Sequence, residues 1–148
     1  MSARKWWLVG GVIVAVVAVV TVFAIVKLTR HKPSDCDTVR AMMAYNVDFN
    51  QQVQRSANEG DPAGSTDADY QKWAARLHQY AGQIHDPKLS EIANGAAGLA
   101  DQTVALVPQV RADSDNTASA PPRSVNEYSR VALQFRDDLA KLKSSCPA

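Results

Sequence analysis

Two cysteines and three histidines are the whole stock of thiol and imidazole chemistry in this 148-residue sequence, so their spacing decides what they could do. Cys36 and Cys146 stand near the two ends of the polar part of the chain. An even pair placed like that reads as a disulfide clasp, and a clasped cysteine cannot act as a thiolate nucleophile. His78 and His85 lie seven apart and could share one helix face. Two imidazoles fall short of the three or four ligands a zinc site needs, and neither H-E-x-x-H nor paired-cysteine spacing occurs, so both read as exposed polar-face histidines. Asp113-Ser114-Asp115-Asn116 begins as a calcium loop begins, yet no glycine follows at the sixth position and Ser124 occupies the place of the bidentate glutamate. The carboxylate pairs Asp67/Asp69 and Asp137/Asp138 fall at helix starts or on polar faces, where dipole and solvation roles account for them. There is no G-x-S-x-G elbow and no glycine-rich phosphate loop. The expectation is a non-enzymatic protein without cofactor or metal.

What must position these residues is set first by an apolar stretch. About 21 residues from Trp6 to Val26 carry no charge, which as a helix spans roughly 31 Å, the thickness of a bilayer's hydrocarbon core. The expectation is a transmembrane helix over 6–27, after a short cytoplasmic N-terminus (1–5). Trp6 and Trp7 suit one headgroup interface, and Lys27 and Arg30 suit the other. A cleavable secretory signal would have an apolar run of only about 7–15 residues and a small-x-small cleavage site. Val22-Phe23-Ala24-Ile25-Val26 offers no such pair, so the segment reads as an uncleaved signal anchor. Gly11, Ala15 and Ala18 line one face of the span, a permissive pattern for helix packing and for a homo-oligomer through the membrane, though such residues are common in membrane helices.

Charge divides along the same boundary. The first 32 residues hold five bases and no acid, and the rest holds 15 acids against 11 bases. A net acidic domain with scattered bases lacks the clustered cationic surface that phosphate binding needs, which excludes a nucleic-acid partner from the expectation. Flanking charges barely discriminate orientation, because Arg4, Lys5 and the α-amino group nearly balance Lys27, Arg30 and Lys32. The cysteines do better: a disulfide persists outside the cytosol, which places the C-terminal domain in the extracytoplasmic space.

After a linker (28–34), the domain spanning 35–146 shows four helical stripes, near 35–55, 67–85, 87–107 and 125–144. The first starts at Ser34-x-x-Asp37 and carries Cys36, Val39, Met42, Met43, Val47, Phe49 and Val53, with Asn46, Asn50 and Gln54 as an amide row beside it. The second starts at Thr66-x-x-Asp69 and repeats Tyr70, Trp73, Ala74, Leu77, Ala81 and Ile84. Asp86-Pro87 caps and opens the third, whose small residues, including Gly95 and Gly98, allow a close neighbour and which Pro108 should kink or finish. Residues 112–123 read as a mobile loop. A capping box, Ser124-x-x-Glu127, opens the fourth, with Tyr128, Val131, Ala132, Phe135, Leu139 and Leu142 in register. The fold class is therefore all-α, an antiparallel four-helix bundle-like domain behind one transmembrane helix. An even number of antiparallel helices returns the chain to its starting end, so Cys36 and Cys146 should be neighbours.

The basic start at Arg4 and Lys5, the Val/Ala-rich anchor, the Asp- and Ala-rich helices and a cysteine near each domain end resemble the small signal-anchored envelope proteins of actinobacteria, of the mycobacterial type. The resemblance implies an envelope location and transfers no functional residue. The expected partners are the lipid bilayer and another envelope protein, with the bundle serving as an accessory or assembly subunit of a membrane complex. The alternative is a small-ligand or sensing module with a pocket between helices, lined by the amide row and the aromatics.

Overall fold

Capping chemistry fixes where the helices begin. In the computed structural model, which describes residues 33–58, 65–114 and 120–147, these are α1 (Asp35–Asn58), α2 (Asp67–Ala81), α3 (Pro87–Ser114) and α4 (Arg123–Ser145). No strand occurs among the described residues. At α1 the Asp37 N–H donates to Ser34 Oγ (3.1 Å) and the Ser34 N–H donates to Asp37 Oδ2 (3.0 Å). Thr66 and Asp69 make the same reciprocal pair at α2, at 3.2 and 2.9 Å. At α3 the Leu89 N–H donates to Asp86 Oδ1 (2.9 Å), and Pro87, which has no N–H to leave orphaned, takes the first helical position. All three starts follow the sequence expectation.

Other boundaries depart from it. The second helix ends at Ala81 rather than near 85, because the next N–H groups close three residues back, Gln83 on Tyr80 O (3.0 Å) and Ile84 on Ala81 O (3.2 Å), and the chain turns. Ile84 folds back from that turn into the core, 5% exposed. The third helix neither stops at Pro108 nor at 107 but runs to Ser114, so most of the predicted loop's first residues are helical. Its final turns are anchored from outside: the Arg111 guanidinium donates to Ser65 O and to Asp67 Oδ1 at the start of α2. The predicted capping box of α4 does not form. Pro122 stands at the N-cap position without a side-chain bond, and the buried Ser124 hydroxyl donates instead to Asp113 Oδ2 (2.5 Å), tying α4 to the end of α3.

Touching pairs run early against late between every pair of neighbours, which makes the helices antiparallel. Tyr45 meets Tyr80 and, one turn on, Phe49 meets Tyr70 across α1 and α2, Asp67 meets Arg111 across α2 and α3, Asp113 meets Ser124 across α3 and α4, and Cys36 meets Cys146 across α1 and α4. The core is centred on the fully buried Val39, Met42, Leu77, Val131 and Leu142. Close approach to α3 is provided by Ala93, Ala96, Ala97 and Ala100, each with no exposed surface. The glycines expected to share that role do not: a Cβ on Gly95 would make an ordinary 3.6 Å contact with Asp138, and one on Gly98 would meet nothing within 4 Å. Gly98→Ala is therefore expected to stabilise the domain by about 0.5–1 kcal/mol, the backbone entropy that a helical glycine loses, read as a higher urea midpoint at unchanged slope.

Asp35 couples α1 to the α2–α3 turn. Its carboxylate accepts the main-chain N–H groups of His85 (3.1 Å) and Asp86 (2.8 Å). Those two donors, that of His85 foremost, hold the carboxyl below its usual 3.8. A lowered native pKa means that this stabilisation is complete above the ordinary carboxyl range and drains away as pH falls through the native value. Asp35→Asn should thus give a shallower loss of stability than wild type between about pH 4 and pH 2, measured by urea unfolding at stepped pH.

Candidate functional site

Four aromatic rings meet where α1, α2 and α4 converge. Phe49 stacks on Trp73 with centroids 5.1 Å apart and 13° between planes, Phe135 meets Trp73 edge-on at 5.5 Å, and Tyr70 meets Phe49 edge-on at 5.2 Å. An indole in such a cluster must still place its N–H. Trp73 Nε1 donates to Asn46 Oδ1 (3.1 Å), and Asn46 is 5% exposed. This reverses the sequence reading of α1, which put Val47 on the apolar stripe and Asn46 beside it. The stripe runs Val39, Met42, Asn46, Phe49, Val53, and Val47 is 51% exposed. The signal was available in principle, since a buried Trp needs an acceptor and the amide row lies at the right register.

Above this cluster a cleft of about 260 Å³ opens along the seam between α1 and α4. That seam is the sparsest of the four helix contacts, so backbone separation rather than a missing side chain creates the space. Phe49, Trp73, Phe135 and Leu139 form its apolar surface, with Ala132 on α4 keeping the mouth open. Asn46, Asn50, Tyr70, Tyr128 and Arg136 supply polar atoms. Among the described residues Arg136 is the one charged side chain in the lining, and no described carboxylate shares it. Burial, with Tyr128 adding to it and Arg111 partly offsetting it, pushes the Tyr70 phenol above its ordinary value of 10.0, which keeps the hydroxyl protonated and available as a donor.

At the other end of the same seam Cys36 and Cys146 are joined, with Cα atoms 5.2 Å apart. Arg40 reinforces the closure by donating to Pro147 O (3.0 Å). The predicted adjacency of the two cysteines is what the fold delivers. The histidines do not come together: His78 pairs with Asp101 (2.8 Å), and His85 lies 3.5 Å from Asp35. Among the described residues no group of three His, Cys, Asp or Glu side chains is arranged to hold a metal ion. Asp113 is spoken for by Ser124.

The span expected over 6–27, with Trp6, Trp7, Gly11, Ala15, Ala18, Lys27 and Arg30, lies outside the described residues. Among the described residues no helix is long and apolar enough to cross a membrane. The cleft has the lining that the alternative expectation gave to a pocket between helices, amides of the row together with the aromatics; which seam would gape was not legible, because it depends on helix spacing. Compared with known protein families, with curated proteins and with solved structures, the chain matches none.

Proposed function

We propose that this protein is a membrane-tethered, extracytoplasmic binding module whose helical domain grips a side chain of a partner protein in the α1–α4 cleft. The observation that carries the reading is the size and lining of that cleft. At about 260 Å³ it falls below the roughly 300–1,000 Å³ of sites that enclose a drug-sized molecule, and it matches one residue-sized anchor. Rigid aromatic walls with a few convergent polar atoms are the make-up of interface hot spots. The lining offers amides, phenols and one guanidinium, groups suited to holding rather than transforming. The uncharged run over 6–26 supports the tether, and the Cys36–Cys146 pair supports an oxidising compartment for the domain.

Filling the cleft tests the reading. Ala132→Trp, at an exposed cleft position, should abolish in-cell crosslinking of the full chain to its protein partner, whereas Leu133→Trp, one residue along at an exposed position outside the lining, should leave it intact. Equal crosslinking by both variants would refute the cleft as the interface. Orientation is tested separately: a membrane-impermeant maleimide on intact cells should add nothing before reduction and two adducts after it. Two adducts without reduction would sink the clasp, and none after reduction would sink the outward orientation.

A further inference from the structure

The polarity of the cleft narrows what it holds, given the binding reading above. Because an indole N–H can only donate, Asn46 must turn its oxygen toward Trp73, and its Nδ2 must point the other way. That NH₂ group has no hydrogen-bond partner among the described residues, although Asn46 is 95% buried as a residue. It is also not sealed off, since the sole fully enclosed and unpartnered side-chain polar atom among the described residues is Ser65 Oγ. Asn46 lines the cleft, so the cleft is where its free donor has access to a partner. Water reaches the donor there, and a bound anionic acceptor would replace that water with a charge-assisted hydrogen bond.

Arg136 supplies the second half of the recognition. Its ion pair to the adjacent Asp137 is long at 3.5 Å, and 73% of its side chain is exposed, so the guanidinium can reorient at little cost. One cation without a carboxylate among the described residues of the lining, in a domain whose residues after Lys32 carry 15 acids against 11 bases, is a local inversion of charge. We infer that the cleft binds the C-terminal residue of a partner polypeptide, an aromatic or leucine side chain seated on Trp73 and Phe135 with its free carboxylate accepting from Asn46 Nδ2 and Arg136. A chain end suits the volume better than an internal loop, which would have to bring two further residues past the rim.

The test follows the Trp73 indole N–H resonance of the full, ¹⁵N-labelled chain during titration with an N-acetylated hexapeptide of glycine and serine ending in phenylalanine. The free-acid peptide should bind, and its C-terminal amide should bind roughly ten- to a hundredfold more weakly, the range expected for losing a charge-assisted hydrogen bond. Arg136→Gln, at an exposed site where folding is not at stake, should weaken the acid by a similar factor and leave the amide unchanged. Asn46→Asp keeps an acceptor for Trp73 while removing the donor, and should act likewise. Equal binding of acid and amide, or an Arg136→Gln variant that weakens both alike, would overturn the carboxylate assignment. N-acetylphenylalanine binding as tightly as the hexapeptide would overturn the polypeptide source in favour of a small acid. These failures are distinct from failure of the binding reading itself, which the Ala132→Trp variant decides.

Discussion

Replacing Cys36 and Cys146 together by serine should lower the stability of the domain by about 4–5 kcal/mol, the value the chain-entropy model assigns to releasing a loop of this size. The two cysteines are 110 residues apart in sequence, so the clasp restricts nearly the whole unfolded domain. The folded state magnifies its importance. α1 and α4 share the sparsest seam in the bundle, and at its covalent end Arg40 adds a single hydrogen bond to Pro147 O. A domain with the usual total of roughly 5–15 kcal/mol would keep only part of its stability. Urea unfolding of the double variant, with reduced wild type as a second route to the same state, measures the difference. A loss under about 1 kcal/mol by both routes would show that packing alone closes the bundle.

Trp73→Ala should cost about 3–5 kcal/mol, the range for deleting a large core aromatic. Trp73 is 4% exposed and contacts Phe49, Tyr70 and Phe135, so its removal opens a cavity on three sides and merges it with the cleft. The hydrogen bond to Asn46 separates two contributions. Trp73→Phe keeps most of the apolar surface but strands the Asn46 oxygen, and should cost about 1–3 kcal/mol for the unmatched acceptor together with lost volume. Adding Asn46→Leu to Trp73→Phe should then recover part of the loss, because removing both partners of a buried hydrogen bond is milder than removing one. If the double variant were less stable than either single one, the buried amide would not be serving the indole. Equilibrium unfolding of the four proteins supplies the cycle.

What the sequence disclosed and what it hid can be traced to range. Helix starts at Ser34, Thr66 and Asp86 were legible because a cap is satisfied within three residues of itself. Ser124 failed for the opposite reason: its hydroxyl had a local use and a distant one, and the distant partner, Asp113, won. Pro108 carries a local signal to stop, yet Arg111 finds Ser65 just before α2 and Asp67 in its first turn, and α3 continues far enough to reach them. The exchange of Asn46 for Val47 has the same origin. Period alone favours the valine, and only the indole on α2 explains why an amide takes the buried position. The neighbouring cysteines were predictable from topology, which follows from counting helices. The lining of a pocket by the amide row and the aromatics was legible too, but its place was not, since a gap between α1 and α4 is a matter of ångströms between backbones rather than of residue type.

These features support one another in the proposed role. The clasp fixes the seam at one end, the thin contact leaves it open along its length, and the Asn46–Trp73 bond orients a donor toward the opening. A rigid socket of this kind limits the ordering cost of binding, because the aromatic walls are already held by one another.

Site-specific photocrosslinking in intact cells tests this account most directly. With p-azidophenylalanine in place of Tyr128, which lines the cleft and which it nearly matches in size, or at position 133 outside the lining, the full chain should crosslink to one protein partner from 128 and not from 133. The 128 adduct should disappear when the Cys36–Cys146 clasp is removed. Adducts of equal yield from both positions, or from 133 alone, would contradict the cleft as the surface through which this protein binds.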